Sequence, residues 1–522
     1  MSLRMKNKFI KISIYSAVIA GLMWVVSCSD DVQQRNEFPA LQPAKLDTNG
    51  GTWLPILLTK PDEFALASPI ATTSPDYKLE LLEIKSWQDK MSDDDKEVMD
   101  YWSAGVVLRW NEILRELVAK YNLAPVQNAD GTYPVPSGTN PLAYPLFPFA
   151  NPPYAARAYA YVTSAQYDAL VAAYHYKSLY KRPRPSAVDP TINELIPVGD
   201  DYAYPCEEAV AAGAAAAMLQ MLFPGEQDYI QKKLNDCKNY RIMAGANTRS
   251  EVNAGADLGK AVAGKFITRA RNDRASKAVG TQADWSQLVA NAEARGDVAW
   301  KSLESPARPP MLPLFGRVIG MLMDTTEVIS NRPVPPPVVG SEQHTKELAE
   351  VLSYTQNDTR ENYRIVHFWA DGAGTYTPPG HWNAIACEDF VKMNFSEIRW
   401  ARNLALLNIS MFQAAICCWD AKNYFYNARP TQIDPNIKTL TGIPNFPAYT
   451  SGHSTFSGAA ATVLAYINPA NAASYTAMAD EASKSRLIGG IHYRSDIEVG
   501  MQMGNAIGAK AVVRGQNDGA DK

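Results

Sequence analysis

A stretch of this chain repeats without a gap, and that repeat limits the folds open to it. Lys177 and Arg184-Pro185 recur as Lys422 and Arg429-Pro430, a shift of 245 residues. The same shift carries Asp189-Pro190 onto Asp434-Pro435 and Gly213-Ala214-Ala215-Ala216 onto Gly458-Ala459-Ala460-Ala461. It also carries Arg241 onto Arg486, Arg249-Ser250 onto Arg494-Ser495, and Gly255 and Gly259 onto Gly500 and Gly504. Both copies are rich in alanine, with apolar residues at helical spacing, and few stretches alternate with period two. The expected fold is therefore all-α, two tandem helical bundles from an internal duplication. With 522 residues, 46% of them hydrophobic, the chain is long enough for two such cores. The proline-rich crossover 305–340 cannot be helical throughout and divides an N-terminal bundle, 76–330, from a C-terminal one, 331–522.

The copies differ where chemistry would occur. Cys206-Glu207-Glu208 stands where the second copy has Ser451-Gly452-His453, and Asn247 stands where it has His492. In the second copy the Ser-Gly-His turn opens into an alanine-rich segment. The free amides of Gly452, His453 and Ser454 then lie at the positive end of a helix, which suits an anion. Lys422, Arg429 and Arg486 supply a point charge and two guanidinium forks for the same anion. The first copy keeps the cations Lys177, Arg184 and Arg241 but sets two carboxylates beside them. It is expected to be an internal salt-bridge cluster with Glu207 and Glu208 in the anion's place, so that only the C-terminal bundle carries an intact site.

Lys422-x6-Arg429-Pro430, then Thr450-Ser451-Gly452-His453, then Ser485-Arg486-x5-His492 resembles a known three-part signature. It is shared by the vanadium-dependent haloperoxidases and acid phosphatases of the type 2 phosphatidic acid phosphatase superfamily. Thr450 stands where proline is usual. The resemblance, spanning roughly 419–504, implies one vanadate per chain, with the metal on His492 and the oxygens on Lys422, Arg429, Ser451, Gly452 and Arg486. It implies His453 as the acid-base group, Lys422 as the residue that polarises bound peroxide, and hydrogen peroxide and halide as substrates, with a small organic acceptor open. Trp419 and Phe446 match aromatic positions of the halide pocket. Asp371 matches an aspartate that pairs with a vanadate-binding arginine, and Asp496, one helical turn after His492, is the candidate to fix that ring. The same cage implies an alternative, an acid phosphatase in which His492 forms a phosphohistidine and His453 protonates the leaving alcohol. The double-bundle layout is haloperoxidase-like, so the expected activity is halide oxidation to hypohalous acid, with iodide or bromide ahead of chloride.

A net charge of −4 gives no electrostatic reason to expect nucleic acid as a partner; the oligomeric state is left open. At the amino terminus Arg4, Lys6, Lys8 and Lys11 precede an apolar run, 12–26, that ends in Val25-Val26-Ser27-Cys28. This is a signal-peptide pattern and resembles a lipoprotein cleavage box. Residues 1–27 are expected to be removed and Cys28 lipidated. Residues 28–75 then form a tether and irregular segment, and the exported protein touches the outer membrane, on its periplasmic or surface side, only through lipid. Cys206, Cys237, Cys387, Cys417 and Cys418 show no metal or disulfide spacing and read as core thiols. Residues 52–84, 128–154 and 368–382 read as irregular. Helix is expected from Glu83, with a capping box at Ser92 and Asp95, and again over 155–180.

Overall fold

The computed structural model describes residues 38–123, 129, 151–199, 201–305 and 307–520. The signal peptide and Cys28 lie outside the described residues. Contacts divide the chain into Met1–Pro39 and Ala40–Lys522, and the architecture below is that of the second unit. It is all-α: among the described residues there is no strand, only an isolated bridge between Ala299 and Asn427.

Helices α1 (Pro75–Lys90), α2 (Asp93–Ser103) and α3 (Val106–Tyr121) lead into α4 (Pro152–Tyr180), α5 (Glu207–Leu222), α6 (Gln227–Met243) and α7 (Arg249–Asn272). After α8 (Gln282–Ala294) the crossover runs with only short helical turns to α9 (Glu342–Gln356), α10 (Arg360–Phe368) and α11 (Thr377–Phe390). The last four are α12 (Glu397–Phe425), α13 (Gly452–Ile467), α14 (Ala472–Ile488) and α15 (Arg494–Gln516). Each of α4 to α7 begins 245 residues before its counterpart among α12 to α15.

The two long helices α4 and α12 pack on each other at the centre of the unit Ala40–Lys522. Helix α12 is apolar enough to cross a membrane by length and composition, but 94% of that window is buried within the protein. A helix apolar all round belongs in a core. Its Asn408 and Asn383 of α11 exchange amide hydrogen bonds of 2.7 and 2.9 Å, and Asn111 of α3 donates to Asn383 at 2.8 Å. All five described cysteines are buried and free.

Glycine sets the spacing of the second-layer pairs, α5 with α7 and α13 with α15. A Cβ on Gly458 would lie 2.7 Å from the Met501 carbonyl oxygen, and one on Gly500 2.9 Å from that of Ser451. A Cβ on Gly504 would overlap the Thr455 carbonyl oxygen and lie 2.9 Å from the Ala459 nitrogen. Gly504→Ala is therefore expected to destabilise the protein by about 1–3 kcal/mol in chemical denaturation, as overpacking does. A cost below about 0.5 kcal/mol would mean that the helices part easily.

Four segments read as irregular differ in part. Helix α1 begins at Pro75, capped by Ser74, whose hydroxyl accepts from Tyr77 N; α4 begins at Pro152, capped by Asn151. Residues 377–382 are the opening of α11, with prolines in its first turn. In all three, proline occupies the start of a helix, where its missing N–H is no loss and its fixed φ helps. Most of 128–154 lies outside the described residues. The fourth is the tether: from Asp47 the chain belongs to the folded body. Asp47 accepts from Arg399 at 2.6 and 2.9 Å, and Asp168 accepts from the amides of Ile56, Leu57 and Leu58. The capping box at Ser92 and Asp95 forms as read.

Candidate active site

Four chain ends converge in the C-terminal half. The last turns of α12 bring Trp419 and Lys422, and the residues after it bring Arg429. The first turn of α13 brings Ser451, Gly452 and His453, and the last turn of α14 brings Arg486. His492 follows on the loop before α15, where Gly490 adopts φ +78, a left-handed turn that returns the chain towards Arg486.

Lys422, Arg429 and Arg486 are at most 1% exposed, and among the described residues none has a carboxylate within ion-pair distance. Lys422 Nζ donates to the carbonyls of Pro447 and Ala448 at 2.9 and 2.8 Å. Arg429 donates to Phe446 and Ile491 carbonyls at 2.8 and 2.7 Å, and Arg486 to the Val366 carbonyl at 3.0 Å. Burial without a counter-charge penalises the cations: Lys422 is pushed down to about 7, Arg429 to about 9 and Arg486 to about 10.

The first half shows the same three cations compensated. Lys177 pairs with Asp201 and Glu207, Arg184 with Asp201, and Arg241 with Glu208 at 2.8 Å. The expected internal cluster of Glu207 and Glu208 is present. Asp201, which the sequence reading missed, is its third carboxylate and takes the position of Phe446 under the 245-residue shift. An aspartate on a loop carries no local signal of this role.

Two imidazoles border the cationic cage. His492 is 2% exposed, and its Nδ1 donates to Asp496 Oδ2 at 2.9 Å; the carboxylate fixes the tautomer and leaves Nε2 as an acceptor, whose lone pair takes a long hydrogen bond of 3.5 Å from Arg429 Nη1. Burial, then the Arg429 charge, holds His492 well below the usual histidine range. His453 is held similarly low by burial and by Arg486, against a hydrogen bond to the Trp369 carbonyl. Its Nε2 is buried with no hydrogen-bond partner.

Ser451 caps α13, its hydroxyl accepting from Ser454 N at 3.3 Å, which leaves the amides of Gly452 and His453 as the open N-terminal donors. A Cβ on Gly452 would sit 3.7 Å from the Trp419 indole. Trp419 donates to the Met311 carbonyl at 3.1 Å and lies 5.2 Å from Phe446 between ring centroids; Lys422 Nζ is 5.0 Å from the Phe446 ring. These two rings therefore wall the lysine side of the cage.

Asp371 departs from its expected pairing. Its close partners are histidines, His381 Nδ1 at 3.0 Å and His453 Nε2 at 3.9 Å, and it acts on Arg486 only through its charge. Among the described residues no His, Cys, Asp and Glu cluster could hold a metal cation. Three uncompensated buried cations, an orphaned imidazole nitrogen and a helix N-terminus instead fit an oxyanion of two or three charges.

Fold and site together define an all-α protein with a buried anion cage faced by two histidines. Residues 403–518 match the PAP2 superfamily. A bacterial vanadium-dependent iodoperoxidase structure aligns with TM-score 0.56 and 22% identity over 78% of this chain and 96% of its own. A holo-type bacterial vanadium-dependent chloroperoxidase aligns with TM-score 0.51 and 12% identity over 70% and 92%. No curated protein matches the sequence. The C-terminal part of the chain thus resembles the PAP2 superfamily, and the chain has the all-α fold of the vanadium-dependent haloperoxidase structures.

Proposed function

We propose that the protein is a vanadium-dependent haloperoxidase that oxidises iodide or bromide with hydrogen peroxide to hypohalous acid. The observation that carries the reading is the set of three buried cations without a paired carboxylate, beside the unprotonated Nε2 of His492. Vanadate, when bound, supplies the Lewis-acidic centre that activates peroxide towards halide.

In this reading Lys422, Arg429 and Arg486 neutralise the oxyanion, and Ser451 and Gly452 complete its ring of donors. His492 Nε2 presents its lone pair to the metal while Asp496 holds the ring. His453 Nε2 faces the cage with nothing to bond, so it can take a proton from an incoming peroxide and return it later. Trp419 and Phe446 keep water from Lys422, which strengthens its charge at the site of halide attack. The matching boundaries of the two halves support descent from one duplicated unit. An exported, lipid-anchored location rests on the amino-terminal pattern alone.

The test is halide oxidation by a form lacking residues 1–28, stripped of metal and then given orthovanadate. Turnover restored only by vanadate is expected, and comparing iodide, bromide and chloride ranks them. Vanadate-inhibited phosphomonoester hydrolysis without halide oxidation would make the protein a phosphatase using the same cage.

A second expectation concerns pH. Lys422 has a folded pKa of about 7, below its value in the unfolded chain. Above pH 7 the empty folded cage thus binds fewer protons than the unfolded chain, and the anion-free protein gains stability as pH rises through that window. A bound oxyanion restores the lysine proton, so affinity falls over the same window. Calorimetry with tungstate, whose charge does not change there, should show binding about tenfold or more weaker at pH 9 than at pH 7, with proton uptake. Affinity independent of pH would mean that Lys422 stays charged in the empty cage.

A further inference from the structure

His381 stands on the opening of α11, behind the cage, and is 7% exposed. Its placement is tightly set. Its ring stacks on Trp369 at 4.6 Å between centroids, and Phe368 meets it edge-on at 5.0 Å. The preceding Gly380 admits no side chain, since a Cβ there would lie 2.8 Å from Tyr376 Cβ and overlap the Tyr159 hydroxyl. Nδ1 of His381 lies 3.0 and 3.2 Å from the two oxygens of Asp371. A carboxylate only accepts, so Nδ1 carries the hydrogen.

Asp371 is 7% exposed in its side chain and sits on the loop between α10 and α11 with φ +45. The Oδ2 that His381 holds is also the atom 3.9 Å from His453 Nε2. That separation is too long for a hydrogen bond to the neutral ring but close enough to favour the imidazolium. The other charged or titratable groups facing His453 are Arg486, Lys422 and His492, and with His381 they oppose its protonation. Asp371 is the counterweight, and its direction depends on His381.

We propose that His381 is a positioning residue for His453: by holding the Asp371 carboxylate between the two rings, it sets how strongly His453 keeps a proton. The use of that proton in turnover rests on the haloperoxidase reading; the coupling of the two histidines does not.

The test follows the ring nitrogen-15 signals of His453, assigned with H453Q, against pH in the vanadate-free full chain. In His381→Ala, Asp371 loses its donor and turns wholly to His453, whose midpoint should rise by about half a pH unit or more. His381→Gln, which can still donate to the carboxylate, should stay at the wild-type midpoint. In an Asp371→Asn background, His381→Ala should change nothing. A His453 that titrates alike, or not at all, in wild type and His381→Ala overturns the proposal, as does a shift that persists without the Asp371 charge. Vanadium-51 spectra of orthovanadate with wild type and His381→Gln should show equal affinity within about twofold, because His381 does not touch the cage. If vanadate binds neither, the functional reading fails while the His453 titration still decides the coupling.

Discussion

Replacing His492 with alanine is expected to abolish vanadate-dependent halide oxidation, a loss of about 10³-fold or more, in a chain that still folds. The Nε2 of this ring is the ligand-type nitrogen facing the cations, and the Asp496 contact leaves it no other orientation. The fold survives because Asp496 Oδ2 keeps the Tyr493 amide at 2.9 Å, capping α15 without the imidazole. Steady-state iodide oxidation at saturating orthovanadate, with circular dichroism as the folding control, measures both. Turnover retained in the alanine variant would sink the assignment of His492.

Glu208→Gln should have the opposite profile, a large loss of stability with little effect on turnover. Glu208 is 8% exposed and its partner Arg241 is 3% exposed, so neutralising the carboxylate leaves a buried guanidinium without its counter-charge. Breaking a buried pair from one side costs about 3–5 kcal/mol. Denaturant unfolding should show that loss, while the folded fraction oxidises halide at the wild-type rate, because the change lies in the other half. A cost under about 1 kcal/mol would show that the first cage tolerates an unpaired cation and is not held together by its carboxylates.

This contrast between halves was partly legible in the residues. Glu207 and Glu208 announce themselves by replacing Gly452 and His453 under the shift of 245, and their pairing with Lys177 and Arg241 followed. Asp201 did not, because it reaches the cluster from a loop whose path no local pattern specifies. His381 lay in the segment 368–382, which read only as irregular. Its partner Asp371 was expected beside an arginine, but packing of Phe368 and Trp369 on His381 sets that imidazole against the carboxylate instead. The helix starts at Pro75, Pro152 and Thr377 were missed because proline breaks a helix in its interior yet opens one at its first turn.

By itself the sequence determined the helical class, the correspondence of the two halves under the shift of 245, and the set of cations and imidazoles. These depend on residue type and spacing within one or two elements, which the covalent chain specifies directly. Only the tertiary structure decided which cations keep a carboxylate and which are left bare, which nitrogen of His492 faces the cage, and which ring shares Asp371. Those outcomes turn on differences of about an ångström between groups far apart in the chain, and charge–charge energies in a buried site change steeply over that distance.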